Sequence, residues 1–255
     1  MPGRSTPPAG ASGVPRLRPG ARAGIWALVL IPCSGAAWGA GLLDFFFAEP
    51  GEVGRLLLQH IWLVLAASGT AIPLGVGLGV GISRPRLRLL APPVLLGAGL
   101  GQTIPALALL ALIFAVVGQI GFLPAWLALS LATLLPVVRN TYLGLTATSP
   151  ALLDAGRGMG MNPVQVLWRL ELPNALPVIL AGIRTAVVIN VSSAALAFLI
   201  GGGGLGDLIF TGIDTRRADI LFAGALPTTL LALGADWILG RIERRVIPPG
   251  IGAIS

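Results

Sequence analysis

The sequence predicts an all-α, polytopic membrane protein with about six transmembrane helices. Of its 255 residues, 55% are hydrophobic and only 11% are charged. The mean hydropathy of +0.89 lies outside the range of soluble globular domains. Apolar runs of bilayer-spanning length, about 20 residues each, recur along the chain and are separated by short segments that contain arginines, glycines and prolines.

The candidate spans, in chain order, are residues 25–47, 58–82, 90–117, 122–143, 175–199 and 218–240. Basic residues precede the first run, as in a signal peptide, but its apolar stretch is too long and lacks a convincing cleavage site. We therefore expect a membrane anchor there. Gly97 and Gly101 form a GxxxG pair typical of close helix contacts. Prolines within the spans, such as Pro105 and Pro136, leave a backbone carbonyl without its usual helical hydrogen bond. We therefore expect kinks or broken helices at these positions, with the carbonyls bonded to protein or water.

Arginine placement predicts the orientation. The chain contains no lysine, so all 17 basic residues are arginines. Most of them lie before the first span, after the second, around residues 139–169 and after the sixth, whereas the alternate loops carry Arg55, Arg216 and Arg217 beside acidic residues. By the positive-inside rule, both termini and the segment 149–173 are cytoplasmic. These arginines are dispersed beside the spans and do not form one basic domain. The net charge of +7 therefore reflects the orientation of the chain in the membrane, and we expect no nucleic-acid partner.

The segment 149–173 is polar and glycine-rich between long apolar runs. It contains two helix-start signals, Ser149 before Pro150 and Asn162 before Pro163. We expect two short helices, the first containing Gly156, Gly158 and Gly160. Each glycine costs about 1 kcal/mol relative to alanine in a helix interior, so the first helix would be weak alone. From these residues, a turn-rich loop and a docking surface are both possible.

Polar residues within the spans are candidates for a translocation path, because lipid penalises them unless they face a bundle interior or a cavity. An interhelical hydrogen bond is the alternative explanation for each of them. The residues are Gln102, Thr103, Arg139, Asn140, Arg184, Asn190, Ser192, Ser193 and Asp236.

Several enzyme classes are disfavoured. A Walker A loop needs a lysine, which this chain lacks. His60 and Cys33 are the only histidine and cysteine and belong to different predicted spans, so neither a metal cluster nor a cysteine–histidine dyad is expected. We expect no catalytic residues, no metal and no cofactor on this chain. An ion-coupled secondary transporter would also be polytopic, but it usually has an inverted repeat with acidic residues at the midplane, and no such repeat is recognisable.

The segment 149–173 resembles the EAA motif of membrane subunits of ATP-binding-cassette importers, EAA-x3-G-x9-I-x-L-P. The spacing matches throughout, with aspartate for glutamate, glycine for the second alanine and leucine for isoleucine. The corresponding residues are Asp154, Ala155 and Gly156, then Arg157 within the three-residue spacer, Gly160, Leu170, Leu172 and Pro173.

The resemblance extends over about residues 58–240. The strings GQTIPALALLAL (101–112), LPVVRNTYLGL (135–145), LPVILAGIRTAVVIN (176–190) and IGGGGLGDLI (200–209) look like osmoprotectant permeases. That branch imports glycine betaine, choline, carnitine and similar solutes; methionine and aliphatic sulfonates are the alternatives within the class. The resemblance implies a type I importer domain over 57–240, preceded by a basic tail (1–24) and an extra span with its external loop (25–56), and followed by a cytoplasmic tail (241–255).

The resemblance also implies partners in a bacterial inner membrane. The segment 149–173 would form a coupling helix that docks on a cytoplasmic ATPase dimer, which would carry the ATP and Mg. An external substrate-binding protein would deliver the solute, and a second copy or a sister permease would complete the channel. The glycine run 201–204 resembles an outer gate. The expected path or gate residues are Gln102, Thr103, Pro105, Asn140, Asn190, Ser192, Gly203 and Gly204.

Overall fold

The computed structural model describes residues 41–247, which are helices joined by short turns with no strand in that range. The predicted tail 1–24, most of the first predicted span and the end of the C-terminal tail lie outside the described residues. The helices are α1 Asp44–Ala48, α2 Pro50–Ser83, α3 Ala91–Gly101, α4 Ala106–Val117, α5 Phe122–Thr146, α6 Pro150–Gly158, α7 Pro163–Val166, α8 Leu172–Ala194, α9 Gly206–Asp214 and α10 Ala218–Val246.

Helix α2 begins eight residues before the predicted span at 58, so the predicted external loop is largely helical. Pro50 occupies the first turn, where a missing N–H costs nothing. Glu52 and Arg55 form an ion pair one turn apart at 2.6 Å, which favours helix over loop. At about 1.5 Å per residue, the 34 residues exceed a hydrocarbon core of about 30 Å.

The predicted third span, 90–117, is not one helix. The chain bends by 110° between α3 and α4, at the break between Gly101 and Ala106. Pro105 is the residue before α4, with ψ of 139°; its ring has no N–H to continue the helix from Gly101. Residues 41–247 thus contain four helices long enough to cross a membrane, or five if this bent pair counts as one span.

Helix α5 lies at the centre of the fold and packs against both α2 and α8. Gly75 and Gly79 of α2 allow the close approach: a Cβ at these positions would lie 2.8 Å from Val137 Cγ1 and 2.6 Å from Thr141 Cβ, respectively. Gly77 has no such neighbour within 4 Å. The small residues on one face of α2 therefore set its distance from α5.

Both short helices predicted in the segment 149–173 are present, but their limits differ from the prediction. Helix α6 ends at Gly158, and Gly160 lies beyond it with φ of +80°, a conformation that glycine adopts at little cost. Asn162 and Gln165 form a capping box at the start of α7, whereas the Ser149 side chain makes no cap hydrogen bond.

Helix α7 continues into the membrane instead of ending before the fifth span. A π-helical turn, Leu167–Glu171, joins α7 to α8. Residues Pro163–Ile200 form one uninterrupted span of 38 residues. A π-turn widens the helix locally, and Pro173 follows in the first turn of α8, where its missing N–H is tolerated. The predicted start at 175 is thus 12 residues late.

Candidate functional site

A cavity of about 550 Å³ opens where the α3–α4 break faces α5 and α8. This volume is within the range of small-molecule sites, about 300–1,000 Å³. None of the described side chains that line it is charged or aromatic. The polar side chains of the lining are neutral amides and hydroxyls, from Gln102, Thr133, Asn140, Thr185, Asn190 and Ser193.

Two amides at the edges of the cavity are fixed by their own helices. Gln102 Nε2 donates to the Ala98 carbonyl at 3.1 Å, and Asn140 Nδ2 donates to the Pro136 carbonyl at 2.8 Å. Helix α8 approaches Asn140 through Gly182, where a Cβ would lie 2.4 Å from Asn140 Cβ. Asn140 thus lines the cavity at a close contact between α5 and α8.

Asn190 joins the cavity wall to α2. Its Nδ2 donates to Ser68 Oγ at 2.9 Å, while among the described residues its buried Oδ1 has no hydrogen-bond partner. Nearby, His60 Nε2 lies 3.0 Å from the Val191 carbonyl. His60 is fully buried among the helices. Both contacts hold the middle of α2, at His60 and Ser68, against α8.

The other residues expected along a path lie elsewhere. Thr103 lines a second opening of about 570 Å³ beside Arg139, with its hydroxyl bonded to the Leu100 carbonyl at 2.7 Å. Pro105 caps the start of α4. Ser192 is exposed on a different face of α8 and donates to the Val188 carbonyl at 3.3 Å. Within α8, Asn190 and Ser193 line the cavity, and Ser192 does not.

The glycine run after α8 is a tight connection packed on α2. Gly203 and Gly204 have φ of +70° and +89°. The Gly204 N–H donates to Gln59 Oε1 at 3.3 Å. A Cβ on Gly203 would lie 2.7 Å from that same oxygen, and one on Gly204 would lie 3.2 Å from His60. Both glycines are therefore required by backbone conformation and by lack of space.

The segment 149–173 has an exposed face and a packed face. Gly156 is buried, and a Cβ there would lie 2.5 Å from Leu170 Cδ1. Asp154 and Ala155 are exposed, and Arg157 Nη1 pairs with Asp154 Oδ1 at 3.1 Å. Three large apolar side chains lie more than 60% exposed beside them, on Met159, Val164 and Trp168.

Behind the segment, the base of α8 packs into a hydrophobic cluster. Leu145, Ala175 and Ile179 are its buried members. Leu167 and Leu172 of the segment pack against it, as do Val76 and Val80 of α2. The segment is therefore attached to α2, α5 and α8 at one end of the bundle.

Within residues 41–247, no group of histidine, cysteine or acidic side chains has the arrangement of a metal site. The site consists of a neutral cavity and, at one end of the bundle, the segment 149–173 with its exposed face.

A family model described as a binding-protein-dependent transport system inner membrane component matches residues 71–248. The chain belongs to this family. The permease is 46% identical to the osmoprotectant import permease protein OsmW of Salmonella typhimurium, over 82% of this chain and 98% of the relative. It is 42% identical to the carnitine transport permease protein OpuCB of Listeria monocytogenes, over 78% and 92%. It is 37% identical to the choline transport system permease protein OpuBB of Bacillus subtilis, over 82% and 95%.

Solved structures show the same fold. The permease superposes on a chain of the inward-facing MetNI methionine ABC transporter with a TM-score of 0.63 at 23% identity, covering 76% of this chain and 97% of that one. It also superposes on a chain of an amino acid ABC transporter with a TM-score of 0.65 at 18% identity, covering 80% and 98%. The permease has the type I importer fold and is an inner-membrane subunit of an ABC importer.

Several cavity residues carry little signal in the sequence. Thr133 and Thr185 line the cavity but were not among the expected polar candidates, and Ser68 orients Asn190. Their hydroxyls can bond to carbonyls of their own helix, as Thr133 does at 2.8 Å, so a threonine or serine in a span carries little signal.

Proposed function

We propose that this permease imports quaternary-ammonium osmoprotectants such as glycine betaine, choline or carnitine. The observation that carries the proposal is the uncharged polar cavity between the α3–α4 break, α5 and α8. Relatives named for osmoprotectant, carnitine and choline transport, at 37–46% identity over most of the chain, support the same solute class.

The cavity chemistry suits the passage of such a solute. A quaternary ammonium has no N–H to donate, so it needs a path without buried cations and with carbonyl or hydroxyl oxygens facing it. Tight recognition of this group commonly uses aromatic side chains, which are absent from the described cavity lining. We therefore assign tight binding to an external substrate-binding protein and transient passage to Gln102, Asn140 and Asn190.

The segment 149–173 is proposed to dock on a cytoplasmic ATPase dimer. Its exposed face combines charge, at Asp154 and Arg157, with apolar side chains such as Met159, and this mixture is typical of a protein interface. ATP and Mg would bind the ATPase, so this chain would need no cofactor. By the positive-inside rule, the arginines that flank the segment support a cytoplasmic location for it and for both termini.

A charged cluster supports pairing with a second permease, either another copy or a sister subunit. Arg184 donates to both carboxylate oxygens of Asp236, at 2.6 and 2.7 Å, and its side chain is 33% exposed. Arg184 Nη1 also donates to Glu243 Oε2 at 3.3 Å. Charged side chains on the spanning helices α8 and α10 are costly against lipid, so a neighbouring subunit or a water-filled path would cover them.

Uptake in proteoliposomes tests the solute class. The permease is reconstituted with its ATPase and binding protein, and uptake of labelled glycine betaine, choline, carnitine and methionine is measured. We expect ATP-dependent uptake of at least one quaternary-ammonium solute that excess unlabelled betaine suppresses. Uptake of methionine alone would overturn the proposed solute class.

Gly160 tests the docking. Replacing Gly160, at φ of +80°, with valine forces a β-branched residue into the left-handed region at a cost of about 1–2 kcal/mol and changes the shape of the exposed face. We expect Gly160→Val to abolish uptake and ATPase coupling while the chain still inserts. Gly158→Ala is the control, because Gly158 is helical and has nothing within 4 Å. Normal transport by Gly160→Val would contradict the docking.

A further inference from the structure

The loop that follows α2 contacts the segment 149–173 through an ion pair between Arg84 and Glu171. Arg84 is the C-cap residue of α2, and Glu171 is the last residue of the π-helical turn before α8. Arg84 Nη2 donates to Glu171 Oε2. The two residues are 87 positions apart in sequence, so the pair joins two elements that the chain does not connect directly.

The pair is partly shielded from solvent and is pre-oriented. The Glu171 side chain is only 12% exposed and that of Arg84 is 30% exposed. The guanidinium is held by a second acceptor, because Arg84 Nε and Nη2 donate to Ser83 Oγ at 3.1 and 2.9 Å. Ser83 Oγ in turn donates to the Val80 carbonyl at 2.7 Å. Fixed geometry and partial burial distinguish this pair from surface ion pairs, which contribute little.

A second ion pair in the same segment, Asp154–Arg157, has a different environment. The Asp154–Arg157 pair lies within one helix, three residues apart, with both side chains more than 60% exposed. It can stabilise α6 only locally. The Arg84–Glu171 pair instead connects the segment to the end of a spanning helix.

Glu171 is also adjacent to the point where α6 rests on the π-turn. Gly156 of α6 packs directly on Leu170, the residue before Glu171. A displacement of α6 would therefore push Leu170, and the neighbouring ion pair would transmit that movement to α2. Leu167 and Leu172 on either side pack against the same buried cluster as Val76 and Val80 of α2, so apolar packing accompanies the ion pair.

We propose that Arg84 and Glu171 are positioning residues that transmit movement of the segment 149–173 to α2 as well as to α8. The covalent chain links the segment only to α5 and α8. The ion pair adds a direct polar link to α2, whose Ser68 is hydrogen-bonded to Asn190 of the cavity wall. Breaking the pair would let the ATPase cycle proceed while α2 follows the segment less closely, so that less solute is moved per ATP. This inference rests on the proposed docking of the segment on the ATPase.

The test is the ratio of solute taken up to ATP hydrolysed, in proteoliposomes of the full complex. Four variants are compared with the wild type: Arg84→Glu, Glu171→Arg, the double reversal, and Arg86→Glu. Arg86 lies two residues further along the same loop and is exposed, so its reversal makes the same charge change without touching Glu171.

We expect each single reversal at the pair to lower the ratio about fivefold or more, the double reversal to restore it to within about twofold, and Arg86→Glu to leave it unchanged. Rescue by the double reversal separates a role of the pair from loss of folding. If a reversal fails to reach the membrane, Arg84→Gln and Glu171→Gln replace it, with the same expected fall.

Unchanged ratios in the single variants, or a double reversal as poor as the singles, would overturn the inference. That result differs from failure of the proposed function. If the wild-type permease does not co-purify with the ATPase subunit, or shows no uptake coupled to ATP hydrolysis, then the proposed docking is wrong, and this is seen before any variant is compared.

Discussion

Gly182 offers a quantitative test of how α8 sets the cavity wall. In Gly182→Ala, the added Cβ would lie 2.4 Å from Asn140 Cβ, 2.7 Å from Cγ and 2.8 Å from Nδ2. Ordinary carbon contacts begin at about 3.5 Å, so α8 must move about 1 Å away from α5. The side chain cannot rotate away, because the nearest atom is the Cβ attached to its backbone.

The expected cost of this overlap is about 1–3 kcal/mol. Alanine also favours the helix by up to about 1 kcal/mol over glycine, which offsets part of it. Gly77→Ala is the matched control, because Gly77 lies in α2 with nothing within 4 Å and gains the same helix preference. The difference between the two variants therefore isolates the steric cost.

The assay is thermal unfolding of the purified complex in detergent, followed by uptake. For a chain of this size, about 1 kcal/mol shifts the midpoint by roughly 2–4 °C, so Gly182→Ala should melt about 2–12 °C below Gly77→Ala. It should also import more slowly, because Asn140 lines the cavity. Equal midpoints would refute the close contact between α8 and Asn140.

Three further predictions follow from the same geometry. Gly206→Ala should prevent accumulation of folded protein in membrane fractions, because the new Cβ would lie 1.8 Å from the Ala195 carbonyl oxygen. Gly234→Ala is the control and should accumulate normally, because the space around Gly234 is open. Gln102→Trp should block uptake by filling the cavity, while the ATPase still co-purifies with the permease. Leu107→Trp is the control and should import normally, because Leu107 is half-exposed and lies outside the cavity lining. Arg157→Gln should change the melting midpoint by no more than about 1–2 °C, because an exposed pair of this kind contributes under about 1 kcal/mol.

The fold class and family could be predicted from sequence because their signals are long. Each apolar run extends over about 20 residues. The spacing of the motif from Asp154 to Pro173 matches the EAA pattern throughout, which is specific to the family. Both were confirmed by the family match and by the solved structures. The helix start at Asn162 was also predicted correctly, and the structure adds the reciprocal hydrogen bond with Gln165 that completes a capping box.

Boundaries and the cavity were harder to predict. Hydropathy does not register a change of direction, so the bend before Ala106 was hidden in a run that is apolar on both sides. Pro105 was a clue, but a proline can also produce a simple kink. The helix through Leu167–Glu171 was missed because a π-turn has no compositional signature. Ser192 and Ser193 are neighbours in sequence, and only the rotation of α8 decides which of them faces the cavity.

The most direct test of the account is what drives uptake. Proteoliposomes containing the permease, its ATPase and its binding protein are loaded with ATP and Mg, and accumulation of labelled glycine betaine is followed with and without a sodium or proton gradient. We predict accumulation that requires ATP and the ATPase and that continues after both ion gradients are collapsed. Accumulation driven by an ion gradient without ATP would contradict the assignment of this chain to an ATP-driven importer.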